Sequence, residues 1–351
     1  MWFIGVDAHR ALLVAVAVDD AGKDRGTWSG HNRDASWNEL LIWAEELAGD
    51  TARIWGIEGS GNQGWGLAQR LVGQGEVVVE INARLTAESR NRSRRRDKTD
   101  EADARAITRV LRESADELPR VKLADSTSPL AILTRERESL QADITRQRNR
   151  LHAALLRVDP AYKQRIVASL TKSAGLEAVL DWDETELGPT EQVQLQSAQR
   201  IARRLLSLLA DLETVSAELT ARSRPVTGPL TSIFGVAELT AGMLAGYLGP
   251  DLRFASDAQV AQYAGVAPLE ASSAGGTRHR LNRTGHRKLN ELIHRIAITQ
   301  ARQYQPARDY VARRRADGKT WREAIRALKR YIVRAIYTQW KECLRLIGYS
   351  I

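Results

Sequence analysis

An α/β domain followed by a largely helical remainder is the fold class this sequence predicts. Three observations carry it. Strand-like runs alternate with amphipathic helical stretches over residues 1–85. Two long segments further on repeat apolar residues at alternating spacings of four and three. Aromatic residues make up only 6% of the chain, too few for an all-β sandwich or barrel.

Phe3-Ile4-Gly5-Val6 reads as a buried strand ending at Asp7, and Leu12 to Val18 as a second strand. The turn Asp20-Ala21-Gly22-Lys23 closes it, and Gly26 to Gly30 makes a shorter third strand, giving an antiparallel meander. Ser36 is the expected cap of a helix through Leu40, Leu41 and Leu47. Ala52 to Ile57 is a strand ending at Glu58, Gln63 to Val72 a helix, and Val77 to Ile81 a fifth strand. Composition then shifts: Arg90, Arg92, Arg94, Arg95, Arg96 and Lys98 fall close together. Thr99 follows as an N-cap, with Asp100, Glu101 and Asp103 in the first turn, where carboxylates suit the helix dipole. That helix is expected to run to about Arg112.

The middle of the chain has coiled-coil character. Leu133, Arg137, Leu140, Ile144, Gln147, Leu151 and Ala154 follow the four–three spacing, as do Ile201, Leu205, Leu208, Leu212, Val215 and Leu219. Pro160, Gly175, Gly188 and Pro189 break the stretch between them. An antiparallel hairpin packed on itself and an intermolecular coiled coil both fit the pattern. Pro225 and Pro229 flank an expected linker. Beyond it, Ile233-Phe234-Gly235-Val236 and Leu239 to Leu248 suggest a helix-hairpin-helix arrangement. Asp257 to Ala264 is a further helix, Ser272 to Gly276 a polar loop, and Gly285–Tyr304 and Lys319–Ile347 long amphipathic helices. The expected domains are 1–125, 126–225 and 226–351.

At 351 residues, 43% apolar and 27% charged, the chain is globular and long enough for two or three domains. Lys and Arg number 52 against 43 Asp and Glu, a net charge of +9. A basic balance with selected acidic positions suits a protein that binds a polyanion and does chemistry on it. Cys343 is the lone cysteine, so an intrachain disulfide and a cysteine-based zinc site are excluded. The apolar start Met1 to Val6 is too short for a signal peptide, and Pro229–Gly249 contains Glu238. A cytoplasmic protein with no membrane partner is therefore expected.

Asp7 and Glu58 end separate strands, where carboxylates can converge on a hard divalent cation or simply cap a loop. Asp100 and Asp103 lie three apart on one helix face. They either complement the dipole alone or complete an acidic quartet of the two-metal nuclease type, which serves in-line attack on a phosphodiester.

The order Ile4-Gly5-Val6-Asp7, Ile57-Glu58-Gly59-Ser60-Gly61 and Lys98-Thr99-Asp100-Glu101-Ala102-Asp103-Ala104 resembles the DEDD transposases. These are insertion-sequence recombinases related to the Piv DNA invertase, many of them guided by a bridge RNA. The C-terminal run Ala264-Gly265-Val266-Ala267-Pro268, Ser272-Ser273 and Arg278-His279-Arg280-Leu281-Asn282-Arg283-Thr284-Gly285 resembles the second domain of the same family. The resemblance covers nearly the whole chain and is weakest across the middle. It implies a RuvC-like (RNase H-type) N-terminal domain, a coiled-coil helical segment and a helical C-terminal transposase domain. It implies that Asp7, Glu58, Asp100 and Asp103 bind Mg²⁺, and that a serine, Ser272 or Ser273, attacks DNA and becomes linked to a phosphate. Donor and target DNA, a non-coding bridge RNA and a homodimer assembling to a tetramer are the implied partners. The chain departs from the family in the hairpin Gly235-Val236-Ala237, where a second Gly is frequent, and at Ala274, where Gly usually follows the serine.

A serine hydroxyl needs a base or a metal beside it. His279 and His286 lie in a basic stretch, so metal activation by the acidic cluster fits better and requires a composite site, within one chain or across two. Arg90, Arg92, Arg94, Arg95, Arg96 and Lys98 form one expected phosphate-binding patch. Arg278, Arg280, Arg283, Arg287 and Lys288 form a second. A third, Arg308 to Arg334, interleaves Trp321 and Tyr331. Trp55 and Trp65 read as packing residues. The competing functions are a hydrolytic RuvC-like nuclease without a covalent intermediate, an RNA-independent site-specific invertase, and a non-catalytic nucleic-acid-binding protein.

Overall fold

The computed structural model of the protein describes residues 1–92, 99–267, 269–270, 279–280 and 285–349. Asn91, Arg92 and the residues of 269–270 and 279–280 are described by backbone alone. The chain divides into two units. One holds Met1–Ser128, Val226–Thr240 and Leu248–Ile351, the other Pro129–Pro225 and Ala241–Tyr247.

In the first unit, β1 (Trp2–Ala8), β2 (Leu12–Asp19) and β3 (Asp24–His31) form the antiparallel meander. Gly22 closes its first expected turn at φ +77°, a left-handed backbone that glycine adopts without a Cβ penalty. After α1 (Asp34–Ala48), β4 (Arg53–Glu58) lies parallel to β1, and after α2 (Trp65–Gly73), β5 (Val77–Ile81) lies parallel to β4. The order β3-β2-β1-β4-β5 is a mixed sheet consistent with an RNase H-like domain.

Two expectations fail here. Helix α1 starts at Asp34 with extended Arg33 as its N-cap, so Ser36 is not the cap but a buried residue of the first turn. Asp34 takes the first helical position, where its carboxylate suits the dipole. Trp55 is fully buried, but Trp65 is 53% exposed because Leu67, Ala68 and Leu71 occupy the core face of α2.

The sheet has two covered faces, set by strand alternation. Ile4, Val6 and Ala8 of β1, with Trp55 and Ile57 of β4, pack in one core with Leu40, Ala44, Leu67 and Leu71. Phe3 packs on the other face, in a core with Val79, Ile81, Ile107 and Leu111. The alternation puts Gly5 and Asp7 on that second face beside Phe3, and Gly56 and Glu58 beside Ile54. The second face is covered by α4 (Asp100–Ser114), which follows α3 (Ala83–Arg92). Helix α3 is not expected from the sequence; only its end, from Arg90, overlaps the expected basic cluster. Thr99 does cap α4: its hydroxyl accepts from the Ala102 amide at 3.2 Å.

The second unit is built from α5 (Ser128–Val158), α6 (Tyr162–Arg165), α7 (Ser173–Leu180) and most of α8 (Pro189–Thr231). Ile144, Leu151 and Leu155 of α5 share one core with Leu176 and Val179 of α7 and with Leu195, Ala198, Ala202 and Leu205 of α8. Gly175 is not a break. It lies inside α7, where a Cβ would meet the Ser169 carbonyl oxygen at 2.3 Å. The expected linker at Pro225–Pro229 is likewise absent, because α8 runs through both prolines. Val226 and Leu230 are buried one helical turn apart, and their burial offsets the lost backbone hydrogen bonds.

The C-terminal part of the first unit contains α9 (Glu238–Leu248, shared with the second unit), α10 (Asp257–Tyr263) and the short pair β6 (Leu269–Glu270) and β7 (His279–Arg280). It ends in α11 (Arg287–Gln303), α12 (Gln305–Ala316) and α13 (Trp321–Leu346). Gly235 precedes α9 at φ +84°. Leu292, Ile293 and Ile296 of α11 and Leu328, Ile332 and Ile336 of α13 are buried. The Arg253 guanidinium donates to Glu80 of β5 at 2.6 Å and its carbonyl accepts from the Arg120 amide at 2.9 Å, tying this part to the sheet. Among the described residues no helix is long and apolar enough to cross a membrane.

Candidate active site

Asp7 and Glu58 are register partners on the parallel pair β1–β4, each at its strand's C-terminal end. Both belong to the sheet face that α4 covers, and Gly5 sets how close the helix comes. A Cβ there would meet the Thr108 hydroxyl at 2.4 Å and the Ala104 carbonyl oxygen at 2.6 Å. Only a residue without a side chain permits that approach. The approach brings the first turn of α4, with Asp100 and Asp103, to the end of β1.

The resulting electrostatics centre on Asp7. Its carboxyl is pushed above the ordinary range chiefly by burial, and further by the charges of Asp103, Glu58 and Asp100, while His9 pulls it down. His9 sits two residues after Asp7. Its Nε2 lies 3.2 Å from Asp7 Oδ2 and 3.6 Å from Asp100 Oδ1. Asp7, His9 and Asp100 each offer one ligand atom, and the three atoms lie within 4.8 Å of one another. Asp103 accepts from the Arg90 guanidinium, and Glu58 accepts from the Thr86 hydroxyl at 2.6 Å. Thr86 is buried, and its one hydroxyl proton is shared between Glu58 and the Ala83 carbonyl oxygen, which lies 2.9 Å from the hydroxyl, so α3 holds the carboxylate of Glu58.

This donor set fits a hard divalent ion. It supplies carboxylate oxygens with one imidazole, and it crowds negative charge around a largely buried carboxyl that a cation would relieve. Sequence reasoning missed His9, Thr86 and the use of Arg90 against Asp103. The Asp7-Ala8-His9 spacing carried a signal, because residues two apart near a strand end share a face.

The other expected site residues fall differently. Ser272, Ser273, Arg94, Arg95, Arg96, Lys98, Arg278 and Arg283 lie outside the described residues, as do the side chains of Arg92 and Arg280. Arg287 and Lys288 are exposed at the start of α11, and Lys288 pairs with Glu291 at 3.5 Å. His286 is the cap of α11: its Nδ1 accepts from the Leu289 amide at 3.2 Å. Its ring stacks on Tyr263, with centroids 5.5 Å apart.

Comparison with known proteins finds two matching transposase models along the chain. Residues 4–160 match a DEDD-type transposase model of IS110, and residues 228–312 match the model described as transposase of the IS116/IS110/IS902 family. The uncharacterized 44.8 kDa protein of insertion element IS116 from Streptomyces clavuligerus is 26% identical, covering 97% of this chain and 94% of the relative. The uncharacterized 43.6 kDa protein of IS110 from Streptomyces coelicolor is 26% identical over 70% of this chain and 71% of its own. The uncharacterized 42 kDa protein of IS900 from Mycobacterium paratuberculosis is 25% identical over 96% and 95%.

Proposed function

Because the chain belongs to the IS110/IS116 family of transposases, we propose that it cleaves and rejoins DNA through a serine–phosphate intermediate, with Mg²⁺ held by Asp7, Glu58, Asp100 and Asp103. The supporting observation is the register of Asp7 with Glu58 beneath the first turn of α4. Three elements thereby contribute acids to one cluster. The chemistry an ion supplies in such a cluster is Lewis-acid stabilisation of the charge that builds on a phosphodiester under attack.

The chain's own groups divide the remaining work. Ser272 or Ser273 attacks phosphorus through its oxygen. One P–O bond forms while the bond to a deoxyribose oxygen breaks, and the released hydroxyl takes a proton. Attack by a second DNA hydroxyl on the serine ester reverses these changes. The number of phosphodiester bonds is conserved and no external energy source is needed. His9 holds Asp7 and Asp100 in place, and Thr86 holds Glu58. Arg90, Arg92, Arg94, Arg95, Arg96 and Lys98 bind phosphates beside the cluster, and Arg278, Arg280, Arg283, Arg287 and Lys288 bind them beside the serines. In this reading residues 1–125, 126–225 and 226–351 act as catalytic, helical and serine-bearing domains. A bridge RNA selects donor and target DNA, and dimers pair into a tetramer.

Covalent trapping tests the proposal. The protein is expressed with the element's flanking non-coding DNA, incubated with Mg²⁺ and junction DNA, and run on a denaturing gel. An adduct lost in Asp100→Ala and in one of Ser272→Ala and Ser273→Ala is expected, and it names the nucleophile. Cleavage without an adduct, untouched by either serine change, assigns the attack to water and overturns the proposal.

A further inference from the structure

We propose that Asn290 of α11, oriented by the buried ammonium of Lys329 on α13, is a positioning residue for the serine. It fastens the neck of the segment to which Ser272 and Ser273 belong. The inference rests on the serine reading above and gives that site a support outside the acidic cluster.

The two ends of the segment meet side by side. The chain leaves α10 through Ala264-Gly265 and enters α11 through Gly285-His286. The His286 amide donates to the Tyr263 carbonyl at 2.6 Å, and the two rings stack. Gly265 has φ +65°, and a Cβ on Gly285 would collide with the Gly265 backbone nitrogen and Cα. The two backbones pass in a contact that only glycine permits. Backbone pairing of Leu269 with Arg280 and of Glu270 with His279 carries this neck outward, to within two residues of Ser272.

Asn290 fastens the neck. Its Nδ2 donates to the Ala264 carbonyl at 2.6 Å and to the Gly265 carbonyl at 3.1 Å. Lys329 decides which way the amide faces, because its Nζ donates to Asn290 Oδ1 at 2.5 Å. An ammonium only donates, so it holds the amide oxygen toward itself and leaves the NH₂ group to the two carbonyls. The neck is also tied to the sheet. The Arg253 guanidinium, which donates to Glu80 of β5, lies 5.4 Å from the Tyr263 ring centroid. Asn82 lines one cavity with Tyr263 and Gly285, and it directly follows Ile81, the register partner of Glu58. The neck is therefore held beside the strand that neighbours an acid of the cluster.

Folding alone gives no reason for the lysine. Lys329 is 6% exposed, on the same buried face of α13 as Ile325, Leu328, Ile332 and Val333. Among the described residues its one hydrogen bond is to Asn290, and it makes no ion pair. A buried ammonium without a counter-charge costs stability that an apolar side chain would not. What it supplies is a fixed donor for the amide oxygen.

Lys329→Met and Asn290→Asp in the full chain test the assignment. The first removes the donor together with the buried charge, so this variant melts higher at pH 7. The second keeps the shape and the bond to Lys329 but turns an oxygen toward two carbonyls. Hydrogen exchange read by mass spectrometry, without DNA or metal, reports on the neck. The His286 amide is expected to exchange about fivefold faster in both variants. Single-turnover adduct formation on saturating junction DNA with Mg²⁺ reports on the reaction. Its rate is expected to fall about a hundredfold while DNA affinity is unchanged. A merely structural role would leave the rate of the more stable Lys329→Met protein as it was. Unaltered exchange in both variants, or full-rate adduct formation by a variant whose neck has loosened, overturns the inference and leaves the serine reading standing. Cleavage without an adduct in the unsubstituted protein overturns the serine reading, and the positioning role with it.

Discussion

Gly5 and Thr108 touch so closely that a Cβ on the glycine would lie 2.4 Å from the threonine hydroxyl oxygen. The contact seats α4 on β1, and the hydroxyl donates within its own helix to the Ala104 carbonyl at 2.7 Å. The carboxylates of Asp100 and Asp103 reach Asp7 because this seat is tight.

Gly5→Ala is expected to cost about 1–3 kcal/mol of stability through overpacking and to lower strand cleavage further than that loss explains. Thermal melts and cleavage rates, compared well below the melting point, separate the two effects. Normal cleavage by a folded Gly5→Ala protein would contradict this seating.

Asp7→Asn is expected to raise the stability of the metal-free protein and abolish cleavage. Burial and three neighbouring carboxylates raise the Asp7 pKa in the folded state, so as pH rises the unfolded chain ionises first. Stability therefore falls from the ordinary aspartate value of 3.8 upward until the raised folded pKa is passed, and the penalty then stays. Melting in EDTA across pH 3 to 8 checks this: the fall should shrink in Asp7→Asn.

Arg90→Ala should leave Asp103 without its guanidinium partner. Metal-free stability should then drop, and added Mg²⁺ should recover more of it than in the unsubstituted protein. A melt at matched Mg²⁺ concentrations reads the difference.

Lys329 of α13 is buried, and its Nζ donates to Asn290 Oδ1 at 2.5 Å. Burial, then the charge of Arg326, lowers its pKa from 10.5 to about 8. The unfolded chain keeps the proton more readily, so stability rises with pH between those values, and the full penalty stands below them. Lys329→Met is expected to stabilise the protein at pH 7, on the order of 1–3 kcal/mol, and to lose that advantage above pH 10. Chemical denaturation at both pH values measures it.

Much of the fold is legible in local chemistry. Apolar runs closed by Asp20-Ala21-Gly22-Lys23, and Thr99 before three acids, mark strands and a helix start that the structure contains. What escaped was decided by tertiary contacts. Pro225 and Pro229 read as a linker, yet burial of Val226 and Leu230 keeps α8 helical through both. Gly175 read as a break, yet it is a close approach to Ser169. At the site, Asp7, Glu58, Asp100 and Asp103 were legible as candidates because strand ends and a helix start have sequence signatures. The groups that hold them, His9, Thr86 and Arg90, were not. A hydrogen bond between α3 and β4 has no local pattern to announce it.

The claim on which the rest depends is that the four carboxylates form one divalent-metal site. Calorimetric titration of Mn²⁺ into the full chain tests it, alongside Asp7→Asn, Glu58→Gln, Asp100→Asn and Asp103→Asn. Each substitution should weaken binding at least tenfold or remove a bound ion, while the melting behaviour in EDTA shows the variants folded. Mn²⁺ binding by all four folded variants with unchanged affinity and stoichiometry would contradict the account.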